Sequence, residues 1–283
     1  MFIPPMPLEP CERPFDDDRY LFEPKIDGRR LILSMENRMV KLYTRNRFDV
    51  TRQYPELHFV PIDDGTDTVL DGEVASINPD TGMVELEEIV KRLRMKKPMS
   101  IREASVGRPV RYFVFDILRY KGEDVRAWPL TERKALLSEV LGENRFFGRI
   151  PTVDGAGTAL FEAIRSIDLE GIVAKRKESL YDSENGRNWL KIINYKYATV
   201  SIVGYRKNQF GWLAQENGRD AGVIELGIQP PFRQAFYGVS KAIRTGEDRD
   251  YVYVRPVLQA VVRFRHRNAA GKPVSPEFVR FAG

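Results

Sequence analysis

The chain is poor in the residues that build metal clusters and cross-links. Its 283 residues include one cysteine, Cys11, and two histidines, His58 and His266, far apart in sequence. An internal disulfide and a cysteine-based zinc site are thereby excluded. Any metal chemistry has to rest on carboxylates, which favours magnesium or manganese. No stretch approaches the roughly 18–20 uninterrupted apolar residues of a membrane-spanning helix, and Met1-Phe2-Ile3-Pro4-Pro5 lacks the basic-then-apolar layout of a secretory leader. A soluble, cytoplasmic protein with no membrane partner is expected. A Gly-x-x-x-x-Gly-Lys-Ser/Thr loop is also missing, which disfavours P-loop kinases and ATPases. Internal repeats and low-complexity segments are absent, and proline and glycine are scattered as turn punctuation.

What remains is ordinary globular composition, 42% apolar and 30% charged, long enough for one large or two medium domains. Charge is uneven. Residues 199–283 hold 13 Lys or Arg against 7 Asp or Glu, a net +6 that leaves −1 for residues 1–198. A basic C-terminal third beside a near-neutral body suggests a nucleic-acid footing, although a solvated basic surface has the same composition.

One run stands out chemically: Glu23-Pro24-Lys25-Ile26-Asp27-Gly28-Arg29-Arg30. A lysine is an ammonium at neutral pH and becomes a nucleophile only through desolvation or neighbouring positive charge, which Arg29, Arg30 or a metal ion could supply. Gly28 permits a sharp turn or close approach to a ligand, Asp27 can orient a hydroxyl, and an arginine can hold a phosphate through two parallel hydrogen bonds. The same residues also suit a charged surface turn after a strand.

Short β-rich runs bounded by turn residues predict strands at Leu31–Met35, Met39–Tyr43, Val69–Ile77, Val110–Asp116 and Gly171–Lys175. Helical spacing predicts helices at Leu130–Leu141, with Thr131 as N-cap and Ala135, Leu136, Val140 and Leu141 as its apolar residues, and at Thr158–Ile167 and Val84–Leu93. The extension Lys91-Arg92-Leu93-Arg94-Met95-Lys96-Lys97 offers a basic face for phosphates. Beyond Tyr195 the texture turns to strands, at Val200–Tyr205, Phe210–Ala214, Gly222–Leu226 and Tyr251–Phe264, as in a small OB-type barrel. Domains of residues 1–195 and 196–283 are expected.

Further clusters could join Lys25. Asp71-Gly72-Glu73 ends an apolar strand and could serve a metal or a ribose hydroxyl, and Phe115 could stack on a base. Glu170 precedes a strand that ends in Lys175, and Trp189-Leu190-Lys191 offers another ammonium. Singly, each is also an ordinary turn, strand end or core residue.

In this order the series closely resembles the covalent nucleotidyltransferases, and within them the ATP-dependent DNA ligases. Lys25, Asp27, Gly28 and Arg30 match Lys-x-Asp-Gly-x-Arg, whose lysine becomes adenylated. Thr44-Arg45-Asn46-Arg47 with Tyr54-Pro55-Glu56-Leu57 looks like the next motif, Asp71-Gly72-Glu73 the ribose-binding one, and Phe115-Asp116 the one that stacks on adenine. Glu170 through Lys175 matches the metal-serving motif, and Trp189-Leu190-Lys191 the one that supplies a lysine to the α-phosphate. Three positions depart. Arg47 stands where glycine is usual. Ile193 replaces a second motif lysine, for which Lys196 lies near in sequence as a substitute. A terminal Arg-x-Asp-Lys motif is not found after Ser275–Gly283, so slow self-adenylation is expected.

The resemblance implies an α+β adenylation domain, with antiparallel sheets and flanking helices, joined flexibly to an OB-fold barrel. It implies ATP and Mg2+ (or Mn2+) as cofactors and nicked duplex DNA as partner, bound by a monomer without a further N-terminal DNA-binding domain. Lys25 and Asp27 would be catalytic, with Asp27 helping to activate the 3′-hydroxyl. Glu23, Arg30, Arg45, Glu73, Phe115, Lys175 and Lys191 would bind nucleotide, with Arg30, Arg45, Lys175 and Lys191 on phosphates. Glu73 and Glu170 would serve the metal. An RNA ligase or capping guanylyltransferase shares the nucleophile, and a degenerate nick-binding module would share the fold.

Overall fold

Runs that are apolar on both sides of a strand demand cover on both faces, and the first two thirds of the chain meet that demand with two stacked sheets. The computed structural model describes residues 1–62, 66–78, 82, 84–268 and 270–282. It separates into two compact units, Met1–Ile193 and Asn194–Gly283.

In the first unit the elements are β1 (Tyr20–Pro24), β2 (Arg29–Glu36), β3 (Met39–Thr44), β4 (Thr68–Ser76), α1 (Leu86–Arg94), α2 (Pro98–Gly107), β5 (Val110–Tyr120), α3 (Leu130–Val140), β6 (Phe147–Arg149), α4 (Gly157–Ser166), β7 (Gly171–Arg176) and β8 (Trp189–Ile193). One sheet has the order β3-β2-β4-β5, antiparallel throughout, with β6 added parallel to β5. The other is β8-β7-β1, also antiparallel, edged by the short strands Glu9–Pro10 and Val153–Asp154.

Side-chain alternation sorts these strands into layers. Leu31, Leu33, Leu70, Tyr112 and Val114 pack one face of the first sheet against Ile89 of α1 and Leu137 of α3. Ile32, Val69 and Leu118, on the other face, meet Leu21 and Trp189 of the second sheet. The far face of that sheet, with Phe22, Ile172 and Ile192, is covered by Phe161 and Ile164 of α4. A register shift opposite Asp71 and Gly72 makes a β-bulge at Phe115, whose ring lies in the space between the sheets.

Helix details differ from the sequence reading. Val84 bridges to Ile77, and the helix starts at Leu86. Thr131 is not a cap: α3 starts at Leu130 after Pro129, with no side-chain capping bond, and buries Leu130, Arg133 and Leu137 rather than Ala135. Arg92 is no phosphate contact, because it is buried on Glu56, with Nη2 to Oε1 at 2.9 Å. Helix α2 and strands β1 and β8 had no sequence counterpart, being short or flanked by polar residues.

The second unit holds β9 (Lys196–Arg206), β10 (Trp212–Glu216), β11 (Arg219–Ile224), α5 (Pro230–Ser240), β12 (Arg244–Glu247), β13 (Tyr251–Phe264) and β14 (Glu277–Phe281). Its order is β11-β10-β9-β13-β12, with β14 also on β13. A bridge from Leu226 to Glu277 ties the segment after β11 to β14. Trp212, Phe236 and Phe278 fill the interior. The helix α5 interrupts what the sequence reading took as continuous β texture.

A fully buried ion pair fixes α3 to β5. Arg133 donates to both Asp116 oxygens at 2.8 and 2.9 Å, and to the carbonyls of Trp128 and Ser179 at 2.6 and 3.0 Å. Replacement Arg133→Met strands the Asp116 carboxylate in the core, an expected loss of about 3–5 kcal/mol. Urea unfolding of the variant measures it.

Candidate active site

The lysine singled out in sequence lies at the end of β1, where the strand leaves its sheet. Its backbone N–H donates to the Gly171 carbonyl at 2.9 Å, and its Nζ donates to Oε2 of Glu170, the next residue back, at 2.7 Å. One short segment therefore holds the lysine at both ends. Gly171 is required there: its φ is 146°, and a Cβ would lie 2.1 Å from the Ile192 carbonyl oxygen. Gly28 has a similar role, since its Cβ position is 2.2 Å from the Val74 carbonyl oxygen. The loop thus lies directly on β4, beside Glu73.

Lys25 lines a narrow cavity between the two sheets, of about 50 Å³, together with Glu23, Arg30, Glu73, Phe115, Lys175 and Trp189. At its inner end Phe115 and Trp189 meet edge to face, 6.0 Å between centroids. The Lys175 ammonium lies 4.1 Å from each ring centroid, a cation–π arrangement, and 2.7 Å from Oε2 of Glu23. That last contact is an ion pair rather than an aligned hydrogen bond. Lys134 of α3 pairs with the other Glu23 oxygen. Burial opposes the charge on Glu23, but the two ammonium groups outweigh it and hold its carboxyl below the usual range. Burial pushes Lys175 down to about 8, with Lys134 adding to the effect and Glu23 resisting it.

The cavity wall is braced by Arg30. Its guanidinium grips Asp71 through two bonds at 2.9 and 2.6 Å and donates to the Met6 carbonyl at 2.5 Å, and Tyr181 donates to the same carboxylate at 2.6 Å. Register explains the meeting, because Arg30 stands opposite Glu73 and Ile32 opposite Asp71. Arg30 shapes the pocket instead of reaching out as a phosphate grip. Lys175 is likewise at the aromatic end, not among groups placed for phosphates.

Glu73 and Glu170 flank Lys25. Burial raises the Glu73 carboxyl to about 8 against the pull of Lys25 and Arg30, and the Glu170 charge adds to the rise. Two mutually repelling carboxylates fit a hard divalent ion, which commonly takes one or two carboxylates and completes its shell with water and substrate phosphate. Among the described residues no group of three or more acidic, histidine or cysteine side chains gathers as a self-sufficient metal site.

The remaining expected residues are more peripheral. Lys191 stands in register with Val173, which is opposite Glu23, so it shares the cavity face of its sheet. Asp27 lies in the Lys25 loop, and Arg45 is exposed in the turn after β3. That turn persists without the usual glycine: Arg47 adopts φ 64° and its N–H donates to the Thr44 carbonyl at 2.9 Å. Trp189 was missed as a pocket residue, and Lys134 as the partner of Glu23 behind it. The aromatic beside Lys191 was a usable signal, whereas nothing local marks Lys134, which arrives from a helix far along the chain.

A lysine anchored at both ends, an aromatic slot and flanking carboxylates are the parts expected of covalent nucleotidyl transfer. The family model for the ATP dependent DNA ligase domain matches residues 9–192, and the chain belongs to that family. It is 36% identical, over 98% of both chains, to the SPbeta prophage-derived DNA ligase-like protein LigB of Bacillus subtilis. It is 30% identical to the bifunctional non-homologous end joining protein LigD of the same organism, over 77% of this chain but only 37% of that longer protein. Among solved structures, a Lig E DNA ligase described as binding DNA with a minimal scaffold shares the fold at TM-score 0.70 and 14% identity, over 100% of both chains. A mycobacterial DNA ligase D complexed with ATP and MES does so at 0.57 and 20%, over 98% of this chain and 94% of that one.

The Glu73 shift has a signed consequence. From about pH 4.5 to about 8 the folded protein retains a proton that the unfolded chain has released, so stability falls as pH rises through this window and levels above it. Thermal midpoints of Glu73→Gln should lack this component, so that the variant gains on the native protein progressively up to about pH 8.

Proposed function

We propose that the chain seals nicks in duplex DNA as an ATP-dependent ligase, with Lys25 as the AMP acceptor. The observation that carries this reading is the double anchorage of Lys25, by Gly171 at the backbone and Glu170 at Nζ, at the mouth of an aromatic, charge-lined cavity. Neutral Lys25 attacks the α-phosphorus of ATP. A P–N bond forms, the bond to pyrophosphate breaks, and the Nζ proton is released. AMP then passes to the 5′-phosphate at the nick, breaking the P–N bond, and the 3′-hydroxyl displaces AMP to form the phosphodiester.

The residues divide this work. Phe115 stacks on the base, and the ionised Glu23 carboxylate accepts from its exocyclic amine. Adenine offers such a donor at C6 where guanine presents an oxygen, which favours ATP over the GTP of a capping enzyme. Lys191 and Arg45 serve phosphates, and Asp27 orients the 3′-hydroxyl. Glu73 and Glu170 would hold Mg2+ or Mn2+, and such an ion when bound offsets phosphate charge and draws the negative charge of Glu170 away from Lys25. The second unit reads as an OB fold, because β9-β10-β11-β14-β13 return to β9 in a ring once the Leu226–Glu277 bridge is counted. Its net +7, from 14 Lys or Arg against 7 Asp or Glu in residues 194–283, supports a role in gripping DNA. Among the described residues no helix is long and apolar enough to cross a membrane.

Mass measurement after incubation with Mg2+ and ATP, GTP or NAD in turn tests the assignment. One AMP adduct from ATP, abolished in Lys25→Ala and by chelation of the metal, is expected. No adduct together with no sealing of pre-adenylated nicks excludes the enzyme, and a GMP adduct points to capping. Asp27→Asn should still accept AMP on Lys25 yet seal pre-adenylated nicks about 10²-fold or more slowly. Equal loss of both steps would remove Asp27 from its specific role.

A further inference from the structure

A second polar cavity, of about 410 Å³, opens in the same unit where β4 ends and β5 begins. Its charged lining is Arg108, Arg111 and Arg145, with Glu85 as the acid, and Glu85 accepts from Asn78 at 2.8 Å. The ligase reading above makes no use of these arginines. We infer that this arginine pocket is a phosphate subsite for the backbone of the nicked duplex, a few nucleotides from the reacting end. The inference rests on that reading for the identity of the nucleic acid.

Three features set the pocket apart from a solvated basic patch. First, Arg111 is held in place: its guanidinium lies 5.5 Å from the Phe113 ring centroid and against the backbone of Gly148, where a Cβ would come within 2.5 Å of Nη2. Second, among the described residues its Nε is buried without a hydrogen-bond partner, and the acid it approaches, Glu143 at 4.0 Å, is already bonded to Arg149 at 3.0 Å. A phosphate oxygen supplies the acceptors that a guanidinium fork requires. Third, the pocket is aligned with the site. Arg111, Phe113 and Phe115 alternate onto one face of β5, and Phe113 stands opposite Glu73. β6 runs beside β5, with Gly148 next to Phe113, and leads to Ile150 in the nucleotide cavity. Four residues of strand separate Phe115 from Arg111, about 13 Å. At roughly 3.4 Å per nucleotide along one strand, that is about four phosphates.

The test measures binding of nicked duplex DNA across a salt series. Arg111→Gln should raise Kd about three- to tenfold and reduce the salt slope by about one phosphate's worth, irrespective of sequence. The exposed Arg145→Gln, which leaves the fold undisturbed, should act in the same direction, and Gly148→Ala should mimic both by displacing the guanidinium. Trimming the duplex arm that serves the pocket below about four base pairs should erase the difference between native and variant proteins, and a difference that persists overturns the backbone-phosphate assignment. Adduct formation from ATP without DNA should be unchanged. An intact adduct with unaltered nick affinity and slope in both arginine variants overturns the subsite alone. Weakened nick binding in a protein that forms no adduct supports the subsite and overturns the Lys25 chemistry instead.

Discussion

The space between the two sheets of the first unit is governed by paired charge. An interface between sheets ordinarily closes on apolar side chains, and here Leu21, Ile32 and Leu118 close one part of it. The rest stays open because Arg30 with Asp71, and Glu23 with Lys175, are charges that must be matched to be buried at all. Such pairs contribute little net stability compared with a well-packed apolar core. Their effect is local: each joins neighbouring strands of one sheet and presents a matched charge to the space between the sheets, which apolar side chains therefore do not fill. Pre-set dipoles and charges of this kind need no rearrangement when a polyanion arrives.

Lys25 follows from the same arrangement. Its Nζ is anchored on Glu170 at 2.7 Å, and the neighbouring Glu73 carboxyl, raised to about 8 chiefly by burial, keeps its proton below that pH. In the proposed reaction, a group that engages Glu170 frees Nζ from this anchor.

How much of this was legible follows residue by residue. Lys25, Phe115 and Glu170 were readable because each sits at a strand end or bulge, and Gly28 and Gly171 each mark a close backbone approach; Asp71-Gly72-Glu73, read as a strand end, lies inside β4, which runs on to Ser76. Arg30 was read as a phosphate partner, since a guanidinium beside a lysine of this kind suggests one, and only its diagonal pairing with Asp71 on the neighbouring strand shows that it is occupied. Arg92 and Arg133 escaped because a charged residue in a helix is normally counted as exposed, whereas both are buried on acids 36 and 17 positions away. Long-range charge pairing leaves no local pattern, and that is the part sequence periodicity cannot carry.

Charge in the second unit shows the same gap between composition and arrangement. Its excess of basic residues alone does not distinguish a nucleic-acid surface from a solvated one. Pairing narrows the question: Glu216, Asp220, Glu225, Glu247 and Glu277 are each already committed to a lysine or arginine of the same unit. The surplus therefore falls on exposed groups such as Arg219, Arg233, Lys241, Arg255 and Arg280, for which those acids are no longer available. Self-repulsion among such groups opposes compactness, and a polyanion that displaces its own counterions in meeting them relieves it. The acids steady the second unit, and the basic excess they leave over is what DNA would meet in the proposed reaction.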